Sequence, residues 1–182
     1  MMIGLTGSRH VGKSTVANML VESFGFQRVH AFDGGKAATV AYFIHLGATS
    51  VVANEMVYGS LKDVPSDLLP GRATPRFFME KLGKFFGVTL GPDWTLGAEI
   101  GRHRRANPSS KLIAESLVYE ADMFRSAGGI IVRVVRPGHV GPVGCESDAV
   151  QAAIVEDVRL LNDSGLGNLR LAVTELVRKI SR

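Results

Sequence analysis

The segment Gly7-Ser8-Arg9-His10-Val11-Gly12-Lys13-Ser14 matches the pattern G-x-x-x-x-G-K-[ST] at every specified position, and it constrains the fold more than any other part of the chain. The pattern works in one setting only: a short apolar strand runs into the loop and a helix runs out of it. Both flanks fit. Ile3 to Leu5 reads as a strand. Lys13 to Phe24 reads as a helix with Val16, Ala17, Met19, Leu20 and Val21 at its apolar positions and Gly25 at its end. Each residue type has a physical task. Gly7 and Gly12 let the backbone curl until its N–H groups point inward at an anion. The helix beginning near Lys13 adds the positive end of its dipole. The Lys13 ammonium reaches the β- and γ-phosphates, the Ser14 hydroxyl completes the coordination of Mg²⁺, and Thr15 touches the region of the α-phosphate. With Ser8 and Val11 these residues form the expected binding loop for ATP or a close relative.

The rest of the chain alternates strands and helices. Strands are predicted at Arg28 to Phe32, Lys111 to Ala114, Ile130 to Val135 and Val158 to Leu161. Helices are predicted at Gly34 to Leu46, from Thr74-Pro75 to about Lys81, at Asp93 to Ile100, at Glu120 to Ala127 and at Leu166 to Ile180. Val51 to Pro70 reads as a helix followed by a loop. Arg102 to Ser110 and Pro137 to Glu146 read as loops. Such alternation predicts an α/β fold with a parallel central sheet of about five strands flanked by helices. Ligands in such sheets bind at the carboxyl ends of the strands. No repeat or linker interrupts the 182 residues, so a single domain, 1–182, is expected.

Composition narrows the class. Hydrophobic residues make up 46% and charged residues 21%, as in globular rather than disordered chains. No run approaches the roughly eighteen apolar residues of a membrane span. The N-terminus lacks the basic start and apolar stretch of a signal peptide, so a cytoplasmic protein is expected. The single Cys145 cannot form an internal disulfide and reads as a small loop residue. His10 is given no chemistry, and His30, His45, His103 and His139 show no metal-ligand spacing. The net charge is +4, and Arg102, His103, Arg104 and Arg105 form the one dense basic run. A run that short suits a phosphorylated small molecule better than a duplex, so stable nucleic-acid binding is not expected. The sequence allows a homodimer without requiring one.

The loop alone does not name a reaction, because kinases, GTPases and motor ATPases share it. No N-K-x-D motif for reading guanine is present, and the chain is short for a large ATPase. A kinase for a small metabolite remains, in which lysine, arginines and Mg²⁺ neutralise and align two phosphate groups. Arg76 either clamps an acceptor phosphate as a bidentate fork or is a solvated helix arginine. Glu80, one turn further on, either accepts from the amino edge of a base or pairs with Lys84. Asp33 ends its predicted strand at the ligand edge, where it either contacts the acceptor or caps the next helix, and Lys36 reads similarly. Trp94 either stacks on a base or packs. Arg102, Arg104 and Arg105 are candidates for a lid over the phosphates, within about residues 100–110. Arg136 follows a buried strand directly, where a ligand-facing charge is expected. Asn162 to Gly165 either wraps the adenine of ATP with backbone groups or is an ordinary turn.

Beyond the loop, four segments occur in an order that resembles the deoxynucleoside monophosphate kinases of bacteriophages. They are Thr74-Pro75-Arg76-Phe77-Phe78-Met79-Glu80-Lys81-Leu82-Gly83, Asp93-Trp94, Glu120 to Gly138 with its ending Val134-Val135-Arg136-Pro137-Gly138, and Leu161-Asn162-Asp163-Ser164-Gly165. The resemblance implies a P-loop kinase fold with a helical acceptor-binding region, about residues 33–90, and a lid. It implies transfer of the γ-phosphate of ATP to a deoxynucleoside monophosphate, with Mg²⁺, in the host cytoplasm if the chain is phage-encoded. Taken with the reading of single residues, catalysis is expected of Lys13, Arg76, Arg104 and Arg136. Donor binding is expected of the loop with Asn162 and Gly165, and acceptor binding of Asp33, Lys36, Arg76, Glu80 and Trp94. The chain departs from the family at three places. Glu115-Ser116-Leu117 stands where the family has an aspartate and then an arginine, so Glu115 takes the acid's role of holding a Mg²⁺-bound water and no arginine follows. Glu80 replaces a glutamine, and the threonine expected after Leu82-Gly83 is missing. These departures leave open a different acceptor, such as dephospho-coenzyme A, and a non-catalytic nucleotide-binding protein.

Overall fold

The structure is a computed structural model that describes residues 1–139, 141 and 146–181. Five strands, β1 (Met2–Thr6), β2 (Phe26–Val29), β3 (Lys111–Ala114), β4 (Ile130–Val135) and β5 (Val158–Leu161), form one parallel sheet in the order β2-β3-β1-β4-β5. Ile3 stands opposite Ile113 on one side and Ile130 on the other. The central place of β1 follows from its composition: a strand covered on both faces is apolar throughout, and every residue from Met2 to Thr6 is buried. The chain adds β2 and β3 on one side of β1 and β4 and β5 on the other. Thr6, where β1 hands over to the phosphate loop, therefore lies at the middle of the ligand-binding edge.

The chain divides into two compact units, Met1–His30 with Leu96–Arg182, and Ala31–Thr95. The first holds the sheet, α1 (Lys13–Phe24), α6 (Ala121–Ser126), α7 (Glu146–Ala153) and α8 (Leu166–Ile180). Its core joins Ile3 and Leu5 to Val16 and Leu20 of α1 and to Leu169, Val173 and Leu176 of α8. The second unit holds α2 (Asp33–His45), α3 (Ser50–Tyr58), a tight turn at Ser60–Asp63 and α4 (Pro75–Lys84). Its core is Phe43, Ala53, Met56, Val57 and Leu69, with Phe78 and Met79 of α4 packed against them. Thr74 starts α4 as its composition demands, its hydroxyl accepting the Phe77 N–H at 3.2 Å with Pro75 at the first helical position. The last helix to be introduced, α5 (Pro92–Ala106), begins in the second unit and ends in the first.

Three predicted features need correction. The second strand runs over Phe26–Val29, not Arg28 to Phe32: Gly25 ends α1 in a left-handed conformation and returns the chain to the sheet at once, where the buried Phe26 lies opposite Lys111. Asp33 is accordingly the first residue of α2 and not a strand end. Arg102 to Ala106 is the last part of α5 and not a loop. Leu96 and Ile100, four residues apart, are both buried, and the arginines follow on an exposed end where cations suit the helix dipole. Finally, Glu146, read as the end of the loop from Pro137, is the first residue of α7, a helix to which the sequence reading assigned nothing. Cys145 lies outside the described residues.

Candidate functional site

The phosphate loop closes as its residue types require. Gly7 has φ 127° and Gly12 has φ 105°, both left-handed values that side chains avoid. Each also has a close neighbour where a side chain would start: the Val134 carbonyl at Gly7 and the Asn162 amide at Gly12. Val11 is buried and anchors the loop in the main core. Asn162, directly after β5, donates from Nδ2 to the Val11 carbonyl at 2.8 Å, while its backbone N–H donates to Val135 at 2.8 Å. The asparagine side chain therefore braces the back of the loop, a role that sequence reading assigned to no residue. Gly165 is the exposed residue before α8.

Lys13 Nζ donates to the carbonyls of Gly7 at 2.6 Å and Ser8 at 2.8 Å, which folds the side chain back over the loop. Burial lowers the affinity of this ammonium for its proton. Asp148 and then Glu115 oppose the effect as nearby negative charges, and Arg9 adds to it. Ser14 and Thr15 lie in the first turn of α1, Ser14 exposed. Glu115 follows β3, the neighbour of β1, and its Oε2 accepts from Arg28 Nε at 3.0 Å; Arg28 also donates to Asn18. Ser14 and Glu115 are hard oxygen donors, and Mg²⁺ takes one or two of these from a protein and the rest from phosphate and water, so the donor set suits that ion. Among the described residues no group of three His, Cys, Asp or Glu side chains forms a self-sufficient metal site.

One wall of the loop comes from α7 and the segment before it. Arg9 Nη2 meets Asp148 Oδ2 at 2.9 Å, and His139 Nε2 donates to the Arg9 carbonyl at 3.1 Å. Gln151 Nε2 donates to Ser116 Oγ at 2.6 Å and to the Leu117 carbonyl at 3.1 Å, which ties α7 to the turn after β3. Arg9 and Asp148 escaped sequence reading, because nothing local to Asp148 signals that it meets the loop. Arg136 is exposed just beyond the carboxyl end of β4, the strand beside β1, with no side-chain partner among the described residues.

Arg104 does not come to the loop. Its Nη2 lies 3.3 Å from Met2 Sδ, at the start of β1, whereas the loop follows the end of that strand. Neighbouring His103 meets Gln27 Oε1 at 3.1 Å, and Arg102 pairs with Glu99 at 2.8 Å. The reason is topological: a helix that leads into a parallel strand must finish at that strand's amino end, and α5 finishes shortly before Lys111 of β3. The expected lid segment is thus helical up to Ala106 and stands at the opposite edge of the sheet.

The candidate acceptor residues Asp33, Lys36, Arg76, Glu80 and Trp94 all belong to the second unit. Asp33 accepts from Lys36 Nζ at 3.0 Å, and Arg76 forks onto Asp63 through Nε and Nη2, the latter at 2.8 Å. Lys62, unread in the sequence, belongs to the same charge cluster. Its ammonium is pushed below its usual pKa by burial, then by Arg76 and Lys36, while Asp63 opposes. Glu80 is exposed on α4. Trp94 is 58% exposed and leans on Phe86, ring centres 6.0 Å apart; Phe86 meets Phe32 edge-on at 5.6 Å.

No protein-family profile matches the chain. It is similar to the "Putative deoxynucleotide monophosphate kinase" of Acanthamoeba polyphaga mimivirus, at 26% identity over 75% of each chain. Among solved structures it resembles a Thermus thermophilus protein, at 18% identity over 98% of this chain and 97% of that one, with a TM-score of 0.50. It also aligns with a dephospho-CoA kinase from Campylobacter jejuni, at 14% identity over 99% and 96% of the two chains, with a TM-score of 0.47. The architecture is the α/β fold that the phosphate loop predicts: a five-stranded parallel sheet flanked by helices, with the loop after its central strand. No helix among the described residues is long and apolar enough to cross a membrane.

Proposed function

We propose that this chain transfers the γ-phosphate of ATP to a deoxynucleoside monophosphate, giving ADP and the diphosphate. The broader class, an ATP-dependent phosphotransferase, is supported by the fold, by the loop and by the kinase relative. The observation that carries the ATP-binding half of the reading is the loop itself: a left-handed Gly7 and Gly12, and a Lys13 ammonium folded over the cradle between them. The same relative supports the nucleotide acceptor, as does a second unit that holds both the cations Arg76, Lys36 and Lys62, suited to a phosphate, and an exposed Trp94, suited to a base.

The chemistry asks for positioning and charge, not a general base. A monophosphate oxygen is already an anionic nucleophile, so the barrier lies in bringing the donor triphosphate and the acceptor monophosphate together in line. Loop N–H groups and Lys13 hold the β- and γ-phosphates. Arg136 lies on the same edge of the sheet and follows charge that moves toward the β–γ bridge oxygen as the bond breaks. Mg²⁺, held by Ser14 and through water by Glu115, would screen the β- and γ-oxygens. The direct experiment measures ADP release from ATP and Mg²⁺ with each deoxynucleoside monophosphate and each ribonucleotide added singly, beside a Lys13→Ala control. Acceptor-dependent release that vanishes in the control is expected. Measurable ATP binding without release for any nucleotide acceptor would overturn the assignment of the acceptor.

A further inference from the structure

The phosphate loop contains a second cation whose partner in this structure is a carboxylate of the protein itself. Arg9 is the third residue of the loop, and its guanidinium meets Asp148 at 2.9 Å, with the two side chains 30% and 25% exposed. Asp148 belongs to the first turn of α7, and that helix is firmly seated. Arg133 of β4 donates from Nη2 to the carbonyls of Gln151 at 3.4 Å and Ala152 at 3.5 Å and to that of Ile154, and its Nε meets Glu156 at 2.8 Å. The loop backbone is held from the same side by the His139 bond to the Arg9 carbonyl. The carboxylate is thus delivered to the loop by packing and is not a chance surface pairing.

Charge explains why it is there. Arg9 and Lys13 sit on one tight loop beside inward-pointing N–H groups at the end of a helix dipole, which is a strongly positive place when no anion fills it. Asp148 is the strongest of the negative charges acting on the Lys13 ammonium. From this arrangement we infer that Asp148 is a resident stand-in for nucleotide phosphate, and that Arg9 exchanges it for the polyphosphate when ATP binds, becoming a phosphate-binding residue. A guanidinium that donates to a carboxylate oxygen donates equally well to a phosphate oxygen, so the exchange changes the acceptor of Arg9 Nη2 and keeps a charge-assisted bond. Asp148 is then a positioning residue: it keeps Arg9 oriented, offsets positive charge on the loop and competes with the ligand.

The inference rests on the phosphate-loop half of the proposed function and not on the acceptor. It is tested by calorimetric binding of ATP with Mg²⁺ and of inorganic tripolyphosphate, which has no base or sugar and reads phosphate contacts alone. Four proteins are needed beside wild type: Arg9→Met, Arg9→Lys, Asp148→Asn and the Arg9→Met, Asp148→Asn double variant. Arg9→Met is expected to weaken both ligands by about ten- to a hundredfold, the scale of a lost charge-assisted hydrogen bond, with Arg9→Lys recovering part of the loss. Asp148→Asn, which removes the competitor, is expected to tighten both by about threefold or more, on the scale of a partly exposed ion pair. Asp148→Asn is expected to tighten binding less in the Arg9→Met background than in wild type, because the part of its effect that runs through Arg9 is already lost while its charge on Lys13 still acts. Asp148→Asn binding no tighter than wild type would reduce the pair to a structural brace and overturn the inference, as would unchanged binding in Arg9→Met. Wild-type protein that bound neither ligand would overturn the loop reading itself.

Discussion

At the scale of single residues, two charges carry the sharpest expectations. Lys13 lies folded onto the carbonyls of Gly7 and Ser8, and in the proposed function it is the cation that holds the β- and γ-phosphates. Replacing it with alanine should leave a folded protein whose turnover falls by at least ~10²-fold, the effect of removing one well-placed charge-stabilising group. Unchanged acceptor-dependent ADP release would remove the loop from the donor site. Glu156 is a structural counterpart: hydrogen bonds from Arg133 and then Arg159 hold its carboxyl at about 2, well below the usual value of 4.5. A depressed carboxyl contributes stability that is present above pH 4.5 and is lost as pH falls toward 2. Glu156→Gln should therefore cost about 1 kcal/mol at neutral pH, partly screened by solvent, and the gap from wild type should close on acidification. Thermal melts of the two proteins between neutral pH and pH 3 check the sign.

At the scale of elements, α7 decides how the loop is walled. Arg133 reaches from a strand to the end of this helix, donating to the Gln151 carbonyl, which also accepts from Ile154 N–H and Thr6 Oγ1, to the Ala152 carbonyl and to that of Ile154 just beyond the helix. Arg133→Met should remove this anchor and loosen α7 locally. The amides of Glu146–Ala153 should then exchange with solvent about tenfold faster or more, while those of β1 keep their protection. Equal acceleration in β1 would mean that Arg133 supports the sheet and not the helix. The corrected fate of α5 belongs to the same scale. Its arginines looked like a lid because a polar run before Pro108 resembles a loop, but they occupy the exposed turns of a helix whose buried side is Leu96 and Ile100.

For the molecule as a whole, each compact unit has its own core. Phe43, fully buried in the second, packs near the face-to-face pair of Tyr42 and Phe78, ring centres 5.7 Å apart. Phe43→Ala should cost about 3–5 kcal/mol, a large share of the 5–15 kcal/mol that holds a typical domain together. Hydrogen exchange should show the loss concentrated in Ala31–Thr95. Protection lost equally throughout the first unit would show that the two open together.

The sequence by itself determined whatever depends on neighbours along the chain. The loop was legible because glycine, lysine and serine have fixed tasks at fixed spacings. Elements such as Lys13–Phe24, Lys111–Ala114, Ile130–Val135 and Leu166–Ile180 appear where apolar periodicity and glycine stops placed them. A parallel sheet followed from alternation. Tertiary structure alone decided which distant groups meet. It put Asn162 behind Val11, Asp148 against Arg9 and Lys62 beside Arg76, pairings that local pattern cannot encode because the partners are joined only through the packing of whole elements. It also put Arg104 at the wrong end of the sheet for a lid. A charge is read from the sequence, but the edge of the sheet it reaches depends on the direction in which its helix returns, and that direction is a property of the fold.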